Sequence, residues 1–344
     1  MKIWFNRWFS TVSHYIEMIR NNPDGKEVII YGTHPNKDAV YLQVCDFAEI
    51  ELDITGKEYI DYCLDFCKKH QIDVFVPRKE NVLISKHLTQ FTRIGTKVLV
   101  CPDPELMNMM DDKELTYKAI EDNNKNGDFL VSIPDYYIVN CLEDFKTAYE
   151  NLKAKGHTVC FKPVIGEGAN GFRVVKEHIE SIDDLFTKGI GFRIPYSHAC
   201  EVFNQQETFP SLMVLEFLDG PEYSIDCLAD REKLYAVVPR KKGKGRVRVL
   251  EDNPELIEIA KKIYEKYRIP FVFNIQVKYR NGVPKLLEIN PRMSGGLHIS
   301  CFSGVNFPYL SLKLLLNEEI DIPKATYDIK ASYLENPVIL SKKR

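Results

Sequence analysis

One stretch constrains this chain more than any other. It runs Phe271-Val272-Phe273-Asn274-Ile275-Gln276-Val277-Lys278-Tyr279, turns at Arg280-Asn281-Gly282-Val283, and returns as Pro284-Lys285-Leu286-Leu287-Glu288-Ile289-Asn290-Pro291-Arg292. Side chains alternate faces along a strand. Phe271, Phe273, Ile275, Val277 and Tyr279 therefore share one face, and Asn274, Gln276 and Lys278 share the other. On the return, Leu287 and Ile289 point away from Glu288, Asn290 and Arg292. A two-residue Asn-Gly loop would set Gln276 opposite Leu287 and mix the faces. An odd loop, with Gly282 left-handed in a bulge, sets Gln276 with Glu288 and Asn290. Because one face has to bury, the odd register is expected. Its polar face is oxygen-rich, as hard cations such as magnesium require, and Arg292 stands beside it to grip a phosphate. An edge hairpin whose polar face meets water is the alternative that this stretch alone leaves open.

The chain has 344 residues, enough for two or three domains with substantial cores. A formal net charge of -3 exerts no long-range pull on nucleic acid or anionic membrane. Met1 to Ser10 carries Lys2 and Arg7 without a long apolar run, so no signal peptide is expected. No stretch approaches the roughly 18 apolar residues of a membrane span. The nine cysteines are scattered, and none has zinc-ligand spacing with another Cys or His. Cys63 and Cys67, one helical turn apart beside Ile60 and Leu64, read as core residues, and a reducing cytoplasm fits best.

Residues 1–103 alternate apolar strands (Lys2–Phe5, Val28–Tyr31, Val74–Val76, Val98–Val100) with helical spacings at Ile60, Cys63, Leu64 and Cys67 and at Leu83 to Phe91. That alternation predicts a parallel, Rossmann-like α/β domain. After the first strand the sequence reads Asn6-Arg7-Trp8-Phe9-Ser10, without the glycines of a dinucleotide fingerprint. An NAD-binding oxidoreductase is therefore a poor reading. Arg78-Lys79-Glu80-Asn81, just past a strand end, is either a solvated loop or a contact for an acceptor substrate.

Asp103-Pro104-Glu105 predicts an N-cap with proline at the first helical position, opening a helix through Leu106, Met109, Met110 and Lys113 toward Tyr117 and Ile120. Asn123 to Asp128 reads as a loop or flexible boundary. Strands follow at Pro134–Val139 and Thr158–Pro163, separated by a helix with Phe145, Ala148, Tyr149 and Leu152 inward. Lys162 ends the second strand and precedes Gly166-Glu167-Gly168-Ala169-Asn170-Gly171, then a strand at Phe172–Val175. A glycine-rich loop between strands lets backbone N–H groups approach phosphate oxygens, although a mobile hairpin tip has the same composition. It is no Walker A loop, since no Lys-Ser/Thr pair follows it.

Apolar strands flank Glu216-Phe217-Leu218-Asp219-Gly220-Pro221-Glu222. This is either a surface corner or a hinge whose peptide groups at Glu216 and Leu218 meet an adenine edge, with Glu222 on a ribose. Arg240-Lys241-Lys242-Gly243-Lys244-Gly245-Arg246 is a basic run that reads as a solvated hairpin, with a lid over anionic substrate as the minority reading. Asn253-Pro254-Glu255 caps a helix with Leu256, Ile259, Ala260, Ile263 and Tyr267 inward, and a last helix runs through Tyr309 to Leu316.

In fixed order the chain thus holds Lys113, Lys162 with its glycine loop, Glu216-Phe217-Leu218 with Glu222, Asn274-Ile275-Gln276, and Glu288-Ile289-Asn290-Pro291-Arg292. The set resembles the ATP-grasp superfamily, in particular its carbamoyl-phosphate-synthase-like and carboxylate-amine ligase branch, over about residues 104–325. Cys160-Phe161-Lys162-Pro163, Gly171-Phe172-Arg173 and Tyr223-Ser224-Ile225-Asp226-Cys227 further resemble the ATP-grasp group associated with tellurium-resistance operons. The resemblance implies an α/β and α+β architecture: an N-terminal α/β domain (1–103), a linker helix region (104–127), a small lobe (128–215), a large lobe (216–325) and a tail (326–344). It implies that Lys113 and Lys162 hold the α- and β-phosphates of ATP, with the Gly166, Gly168 and Gly171 loop closing over them. Glu216, Phe217 and Leu218 would take adenine and Glu222 the ribose. Gln276, Glu288 and Asn290 would bind one or two Mg2+ ions, for which Mn2+ can substitute. Arg292, joined by Arg240 and with Asn290 close by, would serve the γ-phosphate, and Ser294, Gly295 and Gly296 would lie near the substrate carboxylate. Little chain follows residue 325, so the extra domain of the biotin-carboxylase-like branch is not expected, and a carboxylation reaction is disfavoured.

The reaction implied is ATP-dependent joining of a small-molecule carboxylate to an amine through an acyl phosphate. A phosphotransferase stopping at a phosphorylated product and a non-catalytic ATP-binding sensor or scaffold are the alternatives. No nucleic acid or membrane partner is expected, and the resemblance leaves room for a homodimer.

Overall fold

The computed structural model describes residues 1–166, 170–177, 192–334 and 336–340. The chain falls into two compact units, one of Met1–Met110, Glu222–Gln276 and Ile289–Arg344, the other of Asp111–Pro221 and Val277–Glu288. It opens with β1 (Lys2–Asn6), α1 (Val12–Arg20), β2 (Ile29–His34), β3 (Phe47–Ile50), α2 (Gly56–His70), β4 (Val74–Val76), α3 (Asn81–Lys86), α4 (Leu88–Arg93) and β5 (Lys97–Val98). These strands form one parallel sheet in the order β3-β2-β1-β4-β5. The expected parallel α/β domain is present, and its strand order reverses between β1 and β4.

Alternation along β1 explains how the sheet buries both faces. Ile3 and Phe5 enter one core, and Trp4 enters the other. Trp4 stacks between Phe66 and Phe75, with ring centroids 4.3 and 4.2 Å away. The core on the Ile3 side also takes Val12, Tyr15, Ile16 and Ile19 of α1, with Leu228, Val238, Leu250, Val272 and Leu297 from later in the chain. Two elements here were not foreseen, α1 and β3. The helix expected over Leu83 to Phe91 is two short ones, because His87 leaves helical geometry between them.

The chain continues through α5 (Pro104–Asp111), α6 (Lys113–Lys125), β6 (Tyr136–Val139), α7 (Leu142–Ala154), β7 (Val159–Pro163), β8 (Arg173–Lys176), β9 (Arg193–Pro195), α8 (Tyr196–Phe203) and β10 (Leu212–Glu216). Asp103 caps α5 as expected, its Oδ1 accepting from the N–H groups of Glu105 and Leu106 at 3.1 and 3.0 Å. The single helix expected from there to Ile120 is corrected to two. Asp112 breaks it with extended backbone and starts α6 as a new N-cap, accepting from Glu114 and Leu115. Helix α6 then runs to Lys125, into the segment read as a loop. Strands β6-β10-β7-β8-β9 form the second sheet, packed on Phe145, Ala148, Tyr149 and Leu152 of α7.

The remaining elements are β11 (Glu222–Ala229), β12 (Leu234–Lys242), β13 (Arg248–Leu250), α9 (Pro254–Tyr267), β14 (Phe271–Arg280), β15 (Val283–Asn290), α10 (Leu297–Ser300), α11 (Phe307–Leu315) and β16 (Ile329–Ala331). The third sheet has the order β15-β14-β11-β12-β13-β16. At the β14–β15 turn the expected odd loop is corrected. Only Asn281 and Gly282 separate the strands, and both have positive φ, 50° and 79°. That is the two-residue type I′ turn, whose twist matches the flanking strands without a bulge. A two-residue loop does not by itself carry Gln276 onto the face of Glu288. Nor is the Asn274 face left to solvent, since Asn274 is as fully buried as Ile275.

No described helix is long and apolar enough to cross a membrane. All nine cysteines are free thiols.

Candidate active site

The second unit brings two lysines and a carboxylate together. Asp112 caps α6, so Lys113 starts the helix with its side chain buried. Its Nζ donates to the carbonyl of Gly166 at 2.8 Å and, at 3.4 Å, to that of Val164. Lys162, near the end of β7, donates to the carbonyl of Leu287 at 3.1 Å and lies over the Tyr117 ring. Glu288 Oε2 is 3.9 Å from Lys113 Nζ. Burial pushes the Lys162 ammonium down to about 8; Glu288 acts against that, and the positive charge of Lys113 reinforces it. Two cations thus share one nearby carboxylate and are otherwise held by carbonyl oxygens, which offset no net charge. The chemistry of this donor set suits an anion with several oxygens.

Of the glycine loop, Gly166 and Gly171 are described, and Gly168 lies outside the described residues. Gly171 needs its identity. Its φ is +75°, and a Cβ there would sit 2.7 Å from Pro163 Cγ.

Glu216, at the end of β10, is almost wholly buried. Its carboxylate is bound by Lys285, with Arg280 Nη1 at 3.2 Å and His157 Nδ1 at 3.6 Å, and accepts from the Asp135 N–H at 3.1 Å. Any contact between Glu216 and a base would therefore fall to its main chain. Phe217 lies under Lys278 Nζ, 5.0 Å from the ring centre, and Leu218 is buried. The cluster of Lys285, Arg280 and His157 around Glu216 was not foreseen.

In the first unit, Arg240, Ser294 and Gly296 do come together, around a residue to which the sequence reading gave no role. Asp226 on β11 is fully buried. Its Oδ1 accepts from Asn274 Nδ2 at 2.7 Å and from Ser294 Oγ at 2.8 Å. Its Oδ2 accepts from Ser300 Oγ at 2.6 Å and Arg240 Nη2 at 3.1 Å. Arg240 Nε donates to Ser300 Oγ at 3.1 Å, and Nη2 also reaches Ser294 Oγ at 3.3 Å. A Cβ on Gly296 would lie 2.4 Å from Arg240 Nη1, so only glycine leaves room for this guanidinium. Gly295 is exposed, beside Phe9. Tyr15 donates its hydroxyl to the Ser294 carbonyl. Beyond this cluster, Arg292 lines a small cavity with Trp8, Val76, Pro77, Phe271 and Met293.

Also in this unit, Glu222 is paired with Lys242, and Gln276 and Asn290 are part-buried on β14 and β15. The basic run is the β12–β13 hairpin: Lys241 pairs with Glu251, and Arg246 lies over Tyr333. Arg78, past β4, is buried with its guanidinium over Phe9, so its loop is not a solvated one. Among the described residues no three His, Cys, Asp or Glu side chains gather as a metal cage.

Residues 208–337 match the family described as ATP-grasp in the biosynthetic pathway with Ter operon. None of the curated proteins matches the chain by sequence. Among solved structures, biotin carboxylase from Campylobacter jejuni, in its β,γ-ATP complex, is 16% identical, with a TM-score of 0.64 over 93% of this chain and 72% of that one. The biotin carboxylase domain of Hydrogenobacter thermophilus 2-oxoglutarate carboxylase, in complex with magnesium-ADP and bicarbonate, is 12% identical, with a TM-score of 0.64 over 95% and 73%. The L-amino acid ligase from Bacillus licheniformis is 14% identical, with a TM-score of 0.62 over 92% and 74%.

Proposed function

We propose that this chain, which has the ATP-grasp fold and matches the Ter-operon ATP-grasp family over residues 208–337, is an ATP-dependent ligase joining a small-molecule carboxylate to an amine. The observation that carries the reading is the buried pair Lys113 and Lys162, with Glu288 the nearby carboxylate. Those ammonium groups would hold the phosphates of ATP. Glu288 is a hard oxygen donor, as are the amide oxygens of Gln276 and Asn290. Each is a group able to ligate magnesium, which offsets charge on the phosphate oxygens.

The substrate carboxylate attacks the γ-phosphorus, the bond to the β-bridging oxygen breaks, and ADP leaves an acyl phosphate behind. An amine then attacks the acyl carbon and expels phosphate. The side chains do little covalent work in such a transfer; they position groups and balance charge. Arg292 would stabilise the transferring phosphoryl group, and Arg240, fixed by Asp226, would face the substrate carboxylate beside Ser294 and Gly296.

The test is ADP release with magnesium and ATP across a panel of carboxylic acids, the α-amino acids included. Candidate amines are then added and products read by mass spectrometry. Product that forms without any amine would identify a phosphotransferase instead. With an active pair, Glu288→Ala and Arg292→Ala are expected to lower turnover by roughly 10²–10³, about 3–4 kcal/mol. Single-turnover ADP formation at the wild-type rate in both variants would refute the assignments.

A further inference from the structure

The imidazole of His298 stands apart from the network beside it. It is 5% exposed, and neither Nδ1 nor Nε2 has a hydrogen-bond partner. A buried polar group left so is costly, and native structures rarely keep one without a use. The ring lies on α10, two residues from Ser300, which binds both Asp226 and Arg240. His14 of α1 stacks over it at 4.4 Å, Tyr333 meets it edge-on at 5.4 Å, and Tyr15 lies at 6.3 Å. His14, stacked on the ring, and Gly295, three residues before it in the chain, are both exposed.

The charges around the ring say what kind of group would enter. Both oxygens of Asp226 are saturated by Asn274, Ser294, Ser300 and Arg240, so no unpaired carboxylate waits for a cation. Arg240 keeps its positive charge in the same cluster, and its Nη1 is the nitrogen that Asp226, Ser294 and Ser300 leave unused. The surroundings disfavour an ammonium ion and accept an anion or an uncharged donor. Burial, His14 and Arg240 hold the His298 pKa down at about 4, so at neutral pH the ring offers one N–H donor and one bare acceptor nitrogen.

We infer that His298 recognises the second substrate, its bare ring nitrogen accepting a hydrogen bond from the uncharged amine that attacks the acyl carbon beside Arg240. The inference rests on the ligase reading and gives it a nucleophile class, a primary or secondary amine in its neutral form. In the step itself the nitrogen–carbon bond forms, the bond from the acyl carbon to the phosphate oxygen breaks, and its electron pair leaves with phosphate. The surplus proton of the amine passes to the departing phosphate. His298 takes no proton; it holds the lone pair of the nucleophile toward the carbon, which the neutral amine needs and bulk water does not supply.

Hydroxylamine separates the two steps, because it traps an acyl phosphate as a hydroxamate without being positioned. The full-length chain is assayed with magnesium-ATP and each acid of the panel, with hydroxylamine in one arm and the α-amines of the common amino acids in the other. In His298→Phe, hydroxamate formation is expected within twofold of wild type. The KM for the amine should rise tenfold or more, with His298→Gln recovering part of the loss. The melting temperature of His298→Phe should be no lower than wild type, since the ring has no hydrogen bond to lose. Unchanged amine kinetics in His298→Phe would overturn the inference alone, and so would a fall in hydroxamate equal to the fall in amide. No hydroxamate from wild type with any acid would overturn the ligase reading and this inference with it.

Discussion

Removing Asp226 should reveal how the proposed substrate side of this protein is held. In Asp226→Ala the Arg240 guanidinium stays 97% buried but loses its counter-charge, keeping only the hydroxyls of Ser294 and Ser300 at 3.3 and 3.1 Å. Breaking a buried ion pair from one side costs about 3–5 kcal/mol, because the remaining charge is uncompensated. Asn274 Nδ2 also loses its acceptor, which adds about 1–3 kcal/mol where water cannot replace it. The cavity left by a carboxylate can admit water, so these terms overlap, and a total of about 4–5 kcal/mol is expected. Arg240→Met should cost less. It leaves Asp226 with the three neutral donors Asn274, Ser294 and Ser300, so about 2–3 kcal/mol is expected.

Urea unfolding followed by tryptophan fluorescence suits the question, because the only two tryptophans, Trp4 and Trp8, lie in the same unit as Asp226. A double-mutant cycle between Asp226→Ala and Arg240→Met should show coupling of at least about 2 kcal/mol, since the second change removes the orphaned charge left by the first. A loss below about 1 kcal/mol in Asp226→Ala, or additive behaviour in the double variant, would mean that the pair is solvated and does not fix Arg240.

Three further outcomes follow from the same geometry. Lys162→Met removes one of two ammonium groups facing the proposed triphosphate; calorimetry should show magnesium-ATP binding weakened by roughly 10- to 100-fold, as for one charge-assisted contact of about 1.5–3 kcal/mol, and a change under twofold would exclude Lys162 from the nucleotide site. Gly296→Ala drives a methyl group into Arg240 Nη1, and since that guanidinium is pinned by Asp226 and Ser300, about 1–3 kcal/mol should be lost in urea unfolding; no loss would show that Arg240 moves freely. His298 supplies the pH dependence. Its folded pKa of about 4 lies below the unfolded value near 6.5, so the unfolded chain binds a proton between those values that the folded chain refuses. Stability should hold above pH 6.5 and fall as the pH drops from 6.5 toward 4, by about 2 kcal/mol once solvent screening is allowed for. The melting temperature of wild type should therefore track that of His298→Phe above pH 6.5 and fall progressively below it as the pH drops toward 4; parallel curves would refute a neutral buried ring. His14, Arg240 and Asp226 act on its charge, and the titratable Tyr15 and Tyr333 also face the ring.

What was legible in the residues, and what was not, divides by the range of the interactions concerned. The parallel sheet could be read because Val74–Val76 and the helical spacing of Ile60, Cys63 and Cys67 are local patterns. Helix α1 was just as readable, with Val12, Tyr15, Ile16 and Ile19 at helical spacing, but Thr11 makes no capping bond to announce it. At the β14–β15 turn, Asn281-Gly282 is a local signal for a two-residue loop, and it prevailed over an expectation that one face must be apolar. That expectation failed at Asn274, whose polar side chain is buried because Asp226, 48 residues away in sequence, is its partner. Asp226 itself reads as one polar residue among Ile225, Cys227 and Leu228; nothing nearby tells that Arg240, Ser294 and Ser300 converge on it. Lys113 and Lys162 were nameable from position, one opening a helix and one ending a strand, yet their shared proximity to Glu288 is a tertiary fact. Residue types announce which groups want partners, and the fold decides which of them are denied one. His298 is the case in point, for an imidazole in the stretch after Gly295-Gly296 carries no sign in sequence that both of its nitrogens will be buried and left unmade.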